Sequence, residues 1–181
     1  PELPATEMGS YCYNGMFANC TKLTSAPELP AKRLESNCYN CMFEGCTSLT
    51  SAPELPATYL VRECYHSMFN GCTSLASAPK LPATTLGWGC YSEMFQGCTS
   101  LTSAPELPAK ELIRNCYQLM FKDCSKLRYV KALFTTSPSE ETTKDWLSGV
   151  AASGTFIKSK KATWDVTSAH GVPEGWKIET W

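Results

Sequence analysis

The chain has 181 residues, 43% of them hydrophobic and 18% charged, a composition that fits one ordinary globular domain, with or without a small appendage, and excludes intrinsic disorder. With 16 Lys and Arg against 17 Asp and Glu the formal net charge is -1, which leaves no basic footprint for nucleic acid or an anionic membrane surface; no apolar run approaches the ~20 residues of a membrane helix. Against 11 cysteines stand only two histidines, His66 and His170, and three aspartates, so few groups are available for catalysis or for a metal.

The phrase Pro-Glu-Leu-Pro-Ala begins at Pro1, Pro27, Pro53 and Pro105, and as Pro-Lys-Leu-Pro-Ala at Pro79, giving five copies of a 26-residue unit over residues 1–130. A self-similar period of this length is the signature of a repeat architecture. Within a unit the first predicted element after this loop is C-Y-x-x-M-F-x-x-C, as in Cys64, Tyr65, Met68, Phe69 and Cys72, whose apolar positions read as one face of a short helix. The column just before the second Cys holds Asn19, Gly45, Gly71, Gly97 and Asp123, residues that tolerate a positive φ and suit a helix C′ position. The following T-S-L-T-S-A reads as a strand, kept short by the proline that opens the next unit.

Stacked units would place strands ~4.8 Å apart and helices about 8 to 10 Å apart, so the array is expected to curve, strands concave and helices convex. The fold class is therefore an α/β repeat, a right-handed solenoid. Units such as Met94-Phe95-Gln96-Gly97-Cys98-Thr99-Ser100-Leu101 resemble the BspA-like leucine-rich repeat proteins of Bacteroides-type bacteria, with Met where Ala often precedes Phe and with Ala26, Ala52, Ala78 and Ala104 where a larger aliphatic is usual. That resemblance implies a bacterial cell-surface protein with an adhesion or ligand-binding role, and no catalytic residues.

At helix spacing the cysteines of one column lie beyond the roughly 7 Å that a disulfide spans, and they form two parallel files rather than converging as zinc ligands do. They read as small buried hydrophobes. Cys41 stands outside both files. With Cys38 it spells a C-x-x-C, but its column otherwise holds Gly15, Ser67, Glu93 and Leu119, which points to an incidental surface or semi-exposed thiol. His66 shares a column with Asn14, Asn40, Ser92 and Gln118 and is expected to face solvent. The acidic column Glu2, Glu28, Glu54 and Glu106 is interrupted by Lys80, which breaks a continuous calcium path. No cofactor and no metal site is expected. The candidate binding face is the outer side of the strands: Thr24, Ser25, Thr50, Ser51, Ser77, Thr102 and Ser103, with Arg128 and Tyr129 at the end.

Residues 135–181 contain no cysteine and four of the five tryptophans, so the chain divides into a repeat domain, 1–134, and a carboxy-terminal α+β cap, 135–181. A polar linker, 135–143, precedes a predicted helix over Lys144–Ala152. Strands are expected at Thr155–Ile157, Ala162–Trp164 and Trp176–Trp181. The ending Gly-Val-Pro-Glu-Gly-Trp is similar to the tail of Bacteroides members of the family. Trp146, Leu147, Val150, Phe156 and Trp164 are expected to cover the last repeat. At the other end Leu3, Met8, Cys12 and Phe17 would form an uncapped edge open to self-association, and the lack of an export signal suggests a processed fragment. The function expected is a non-enzymatic extracellular or cell-surface module that binds a protein or a glycan, with a passive spacer as the competing reading.

Overall fold

The computed structural model describes residues 3–162 and 170–181. Its repeating element is a ribbon of turns and not the helix that the apolar spacing suggested. Positive φ recurs at every fourth residue, at Asn37 (60°), Cys41 (54°) and Gly45 (70°) in the second copy and at Glu63, Ser67 and Gly71 in the third. Amide donors alternate between two destinations. Cys38, Met42 and Cys46 donate to the carbonyls of Glu35, Tyr39 and Phe43, three residues back, whereas Tyr39, Cys41, Phe43 and Gly45 donate to Cys64, His66, Met68 and Asn70 of the next copy at 3.0, 2.9, 2.9 and 2.7 Å. An α-helix keeps its donors within itself; here every second donor ties one unit to the next. The column Asn19, Gly45, Gly71, Gly97 and Asp123 does take a positive φ throughout.

Because the copies are hydrogen-bonded to each other, they lie at strand spacing on this side too. A Cβ built on Gly71 would come 3.7 Å from the Gly45 Cα, and one on Gly97 3.7 Å from the Gly71 Cα. The Phe17, Phe43, Phe69, Phe95 and Phe121 rings stack at 5.5 to 5.7 Å, and the tyrosine file from Tyr13 to Tyr117 at 5.8 to 6.0 Å. The unequal spacing from which a curved array was expected is therefore absent.

Among the described residues the T-S-L-T-S-A segments contribute one isolated parallel bridge, Ser25 to Ser51, in place of full strands; the bridges of Tyr59 to Thr85 and Leu107 to Ala132 fall outside those segments. Proline occupies the next column in every copy and has no N–H to give its neighbour. Where that column passes to Lys131 and Ile157 a ladder forms: β1 (Tyr129–Ala132), β2 (Thr155–Lys158) and β3 (Lys177–Thr180) make an open parallel sheet in that order, with Lys131 opposite Ile157 and Ile157 opposite Glu179. Among the described residues the one α-helix is α1, Glu140–Thr143, upstream of the helix expected at Lys144–Ala152. That stretch instead repeats the turn ribbon, with positive φ at Asp145 and Gly149, and its carbonyls at Lys144, Trp146 and Ser148 accept from Leu119, Phe121 and Asp123 at 2.9, 2.9 and 2.7 Å.

One continuous core results, running across the change in composition at residue 135. Trp146, Leu147 and Phe156 are buried against Tyr117, Phe134 and their neighbours, as the covering role required, and Val150 packs at their margin. Trp164, and with it the expected strand at Ala162–Trp164, lies outside the described residues, as does Glu2. The second cysteine file has a bonding role: the thiols of Cys46, Cys72, Cys98 and Cys124 donate to the carbonyls of Phe17, Phe43, Phe69 and Phe95 in the preceding copy at 3.0, 3.1, 3.2 and 2.9 Å. No helix among the described residues is long and apolar enough to cross a membrane.

Candidate binding surface

Four side-chain groups could carry function: the hydroxyl columns, the acidic column, the surroundings of His66 and Cys41, and the outer face of the terminal sheet. The hydroxyl residues line up in register. The Thr50 amide and hydroxyl both meet the Thr24 carbonyl at 3.2 Å, Ser51 bridges Ser25, and the Arg128 amide donates to the Thr102 carbonyl at 3.1 Å. Thr24, Ser25, Thr50, Ser51, Ser77, Thr102, Ser103 and Arg128 are exposed, and Tyr129 is half-buried. Translation by 26 residues thus places these side chains in two adjacent rows on one surface.

Beside the rows, grooves of about 400 Å³ separate successive proline loops, one of them between Pro27 and Pro53 with Glu28 and Glu54 on its rim. In the acidic column Glu106 pairs with Lys131 at 2.6 Å, and among the described residues no three His, Cys, Asp or Glu converge as metal ligands.

His66 was expected in solvent and is half-buried instead, its Nε2 3.8 Å from Glu93, whose other oxygen accepts from the Ser67 hydroxyl at 3.4 Å. The reason is the ribbon: Cys41, Ser67 and Glu93 occupy successive copies of one column and bring their neighbours into lateral contact. Cys41 is likewise half-buried. Burial, then the adjacent Glu44 carboxylate, pushes its thiol up to about 12, so it stays protonated at neutral pH and lacks the thiolate that nucleophilic or redox chemistry needs. The exposed thiol is Cys20.

The terminal sheet surrounds the candidate Tyr129 with further residues. Val130, Ala132 and Phe156 are buried on its inner face, so strand alternation and the parallel register put Tyr129, Lys131, Thr155, Ile157, Lys177 and Glu179 on the outer one. Trp181 joins them. It is 56% exposed, with the Lys131 ammonium 5.0 Å from its ring centre, a cation–π distance. The tail tryptophans therefore divide. Trp146 and Trp176 are buried, their indole N–H groups given to the carbonyls of Gly171 and Ala151 at 2.7 and 2.8 Å, whereas Trp181 is exposed. The alternation Trp176-Lys177-Ile178-Glu179-Thr180-Trp181 carried that signal, since an odd separation puts the two indoles on opposite faces. No protein-family model, curated protein or solved structure matches the chain.

Proposed function

We propose that this chain is a non-catalytic binding module of a bacterial cell surface, built as a leucine-rich-repeat type of right-handed solenoid in which turn ribbons stand where helices are usual. Its partner is an extracellular protein or glycan. The observation that carries the reading is the outer face of the terminal sheet, where an exposed indole, a half-buried tyrosine and Ile157 lie beside Lys131. Binding energy concentrates in such aromatic anchors, and the two rows of small hydroxyl side chains leading from it leave room for an extended ligand. The same rows offer no nucleophile with an aligned base.

Binding of the purified chain to arrays of extracellular matrix proteins and glycans tests this. A ligand retained by the parent chain should be lost with Trp181→Ala and with Tyr129→Ala, and with paired Thr50→Arg and Thr102→Arg, while circular dichroism stays unchanged. No ligand on either array supports the spacer reading instead.

A further inference from the structure

The two ends of the stack differ in their backbone chemistry. In the first copy the amides of Gly15, Phe17 and Asn19 are given to the second copy, and those of Asn14, Met16 and Ala18 are given to carbonyls three residues back. The carbonyls of Asn14, Met16 and Ala18, equivalents of those that accept between later copies, face outward as a row of acceptors. Two such rows brought head to head would set acceptor against acceptor. The ribbon side of the amino-terminal edge is therefore unsuited to symmetric self-pairing, although Tyr11 and Met16 are exposed there, at 65% and 49%.

The edge of the terminal sheet has the opposite property. The amides of Lys177 and Trp181 donate to Gly154 and Lys158 at 2.8 and 3.2 Å, so alternation turns the N–H and C=O of Ile178 and Thr180 away from β2. Among the described residues no strand pairs with β3 on that side. An edge that carries both a donor and an acceptor on one residue matches itself when a second strand runs antiparallel. In the register centred on Ile178 the two Ile178 residues exchange both hydrogen bonds. Lys177 then lies across from Glu179 of the second copy, and Glu179 across from its Lys177, so both cross-strand pairs carry opposite charge on the outer face. On the inner face the Ile178 side chains, 38% exposed in the single chain, would cover each other. We propose that β3 is the docking edge for a second copy of this chain, the two strands pairing antiparallel about Ile178 to give a six-stranded sheet across a twofold axis.

Sedimentation equilibrium of the whole chain over a wide concentration range tests this. The expected result is a monomer–dimer equilibrium that Ile178→Pro shifts to monomer without lowering Tm, because the amide it removes points away from β2 and proline is tolerated on such an edge. Lys177→Glu and Glu179→Lys should each weaken the dimer about tenfold by setting like charges opposite one another twice, and the double variant should recover it. A chain that stays monomeric at every concentration overturns the proposal. A dimer that persists in Ile178→Pro, ignores the charge reversals or yields instead to Tyr11→Asp overturns it equally.

Discussion

At the scale of single residues the cysteine files show what a thiol contributes that another small apolar group would not. A second-file thiol fills a small core position and, as a weak donor, also meets a phenylalanine carbonyl of the preceding copy. That position has a consequence in alkali. Burial raises the thiol of Cys38 to about 11 and those of Cys72, Cys116 and Cys124 to about 12, from an ordinary value of 9.0. Below pH 9 folded and unfolded chains both hold these protons, and the thiols add no pH dependence. Between 9.0 and about 12 the unfolded chain releases protons that the folded chain keeps, so stability falls as pH rises through that window. Each such thiol steepens the fall by about 1.4 kcal/mol per pH unit. Urea unfolding at pH 8 and pH 10.5 should show the drop, and Cys116→Ala with Cys124→Ala should flatten it; equal stability at both pH values would mean that the files are wet. At pH 8 a thiol reagent should label Cys20 first and the half-buried Cys12 and Cys41 more slowly.

At the scale of elements, the sequence carried the period and the inward columns: the columns of Leu55, Ala57, Cys64, Tyr65, Met68, Phe69, Cys72 and Leu75 are buried throughout the interior copies, whereas the repeated prolines, such as Pro30 and Pro82, reach the surface. It did not carry the element type. Cys64, Tyr65, Met68, Phe69 and Cys72 repeat every four residues, which a helix of 3.6 residues per turn and a ribbon that turns every four both satisfy over so short a stretch. Gly15 and Gly89 hinted at the second, since they share their columns with the positive-φ residues Cys41 and Asn115. Glu63, Ser67, Glu93 and Leu119 hid it, because nothing in their chemistry favours a left-handed backbone; the hydrogen bonds to the neighbouring copy impose it. In the same way the exposure of Trp181 was readable from strand parity, whereas the burial of His66 depended on a lateral spacing that composition does not encode. Proline placement was legible and is testable. Ile157, in the proline column, directs its amide toward β1, as Thr155 does in donating to Arg128 at 2.8 Å. Ile157→Pro should therefore remove one ladder bond at a cost of about 1 to 3 kcal/mol and speed amide exchange in β1. An unchanged Tm would mean that the ladder adds nothing to what the aromatic stacks already hold.

At the scale of the whole molecule, the direction of the hydrogen bonds gives the stack a polarity. In the turn ribbon each copy passes amide donors forward and receives them on its carbonyls, while on the strand side amides such as those of Thr50 and Thr84 go back to Thr24 and Thr58; the ribbon of the first copy therefore ends in acceptors, and that of the fifth offers the amides of Tyr117, Leu119, Phe121 and Asp123 to residues 142–148. The segment that accepts them shares none of the repeat's cysteines, yet Asp145 and Gly149 take the positive φ that lets it follow the same ribbon. Among the described residues the carbonyls of His170 and Gly171 meet this segment, accepting from the Thr143 hydroxyl and the Trp146 indole. Removal of residues 135–181 would leave a donor row at one end and an acceptor row at the other, both flanked by stacked aromatic rings. Complementary unlike ends give a heterologous contact that does not close on itself. Residues 1–134 alone should therefore grow head to tail into unbranched filaments continuing the 26-residue stack, with a lag that shortens as concentration rises. Electron microscopy separates the outcomes. Filaments that added whole chain caps at one end would support the polarity, whereas a cooperatively melting monomer would show that the five copies need no cover.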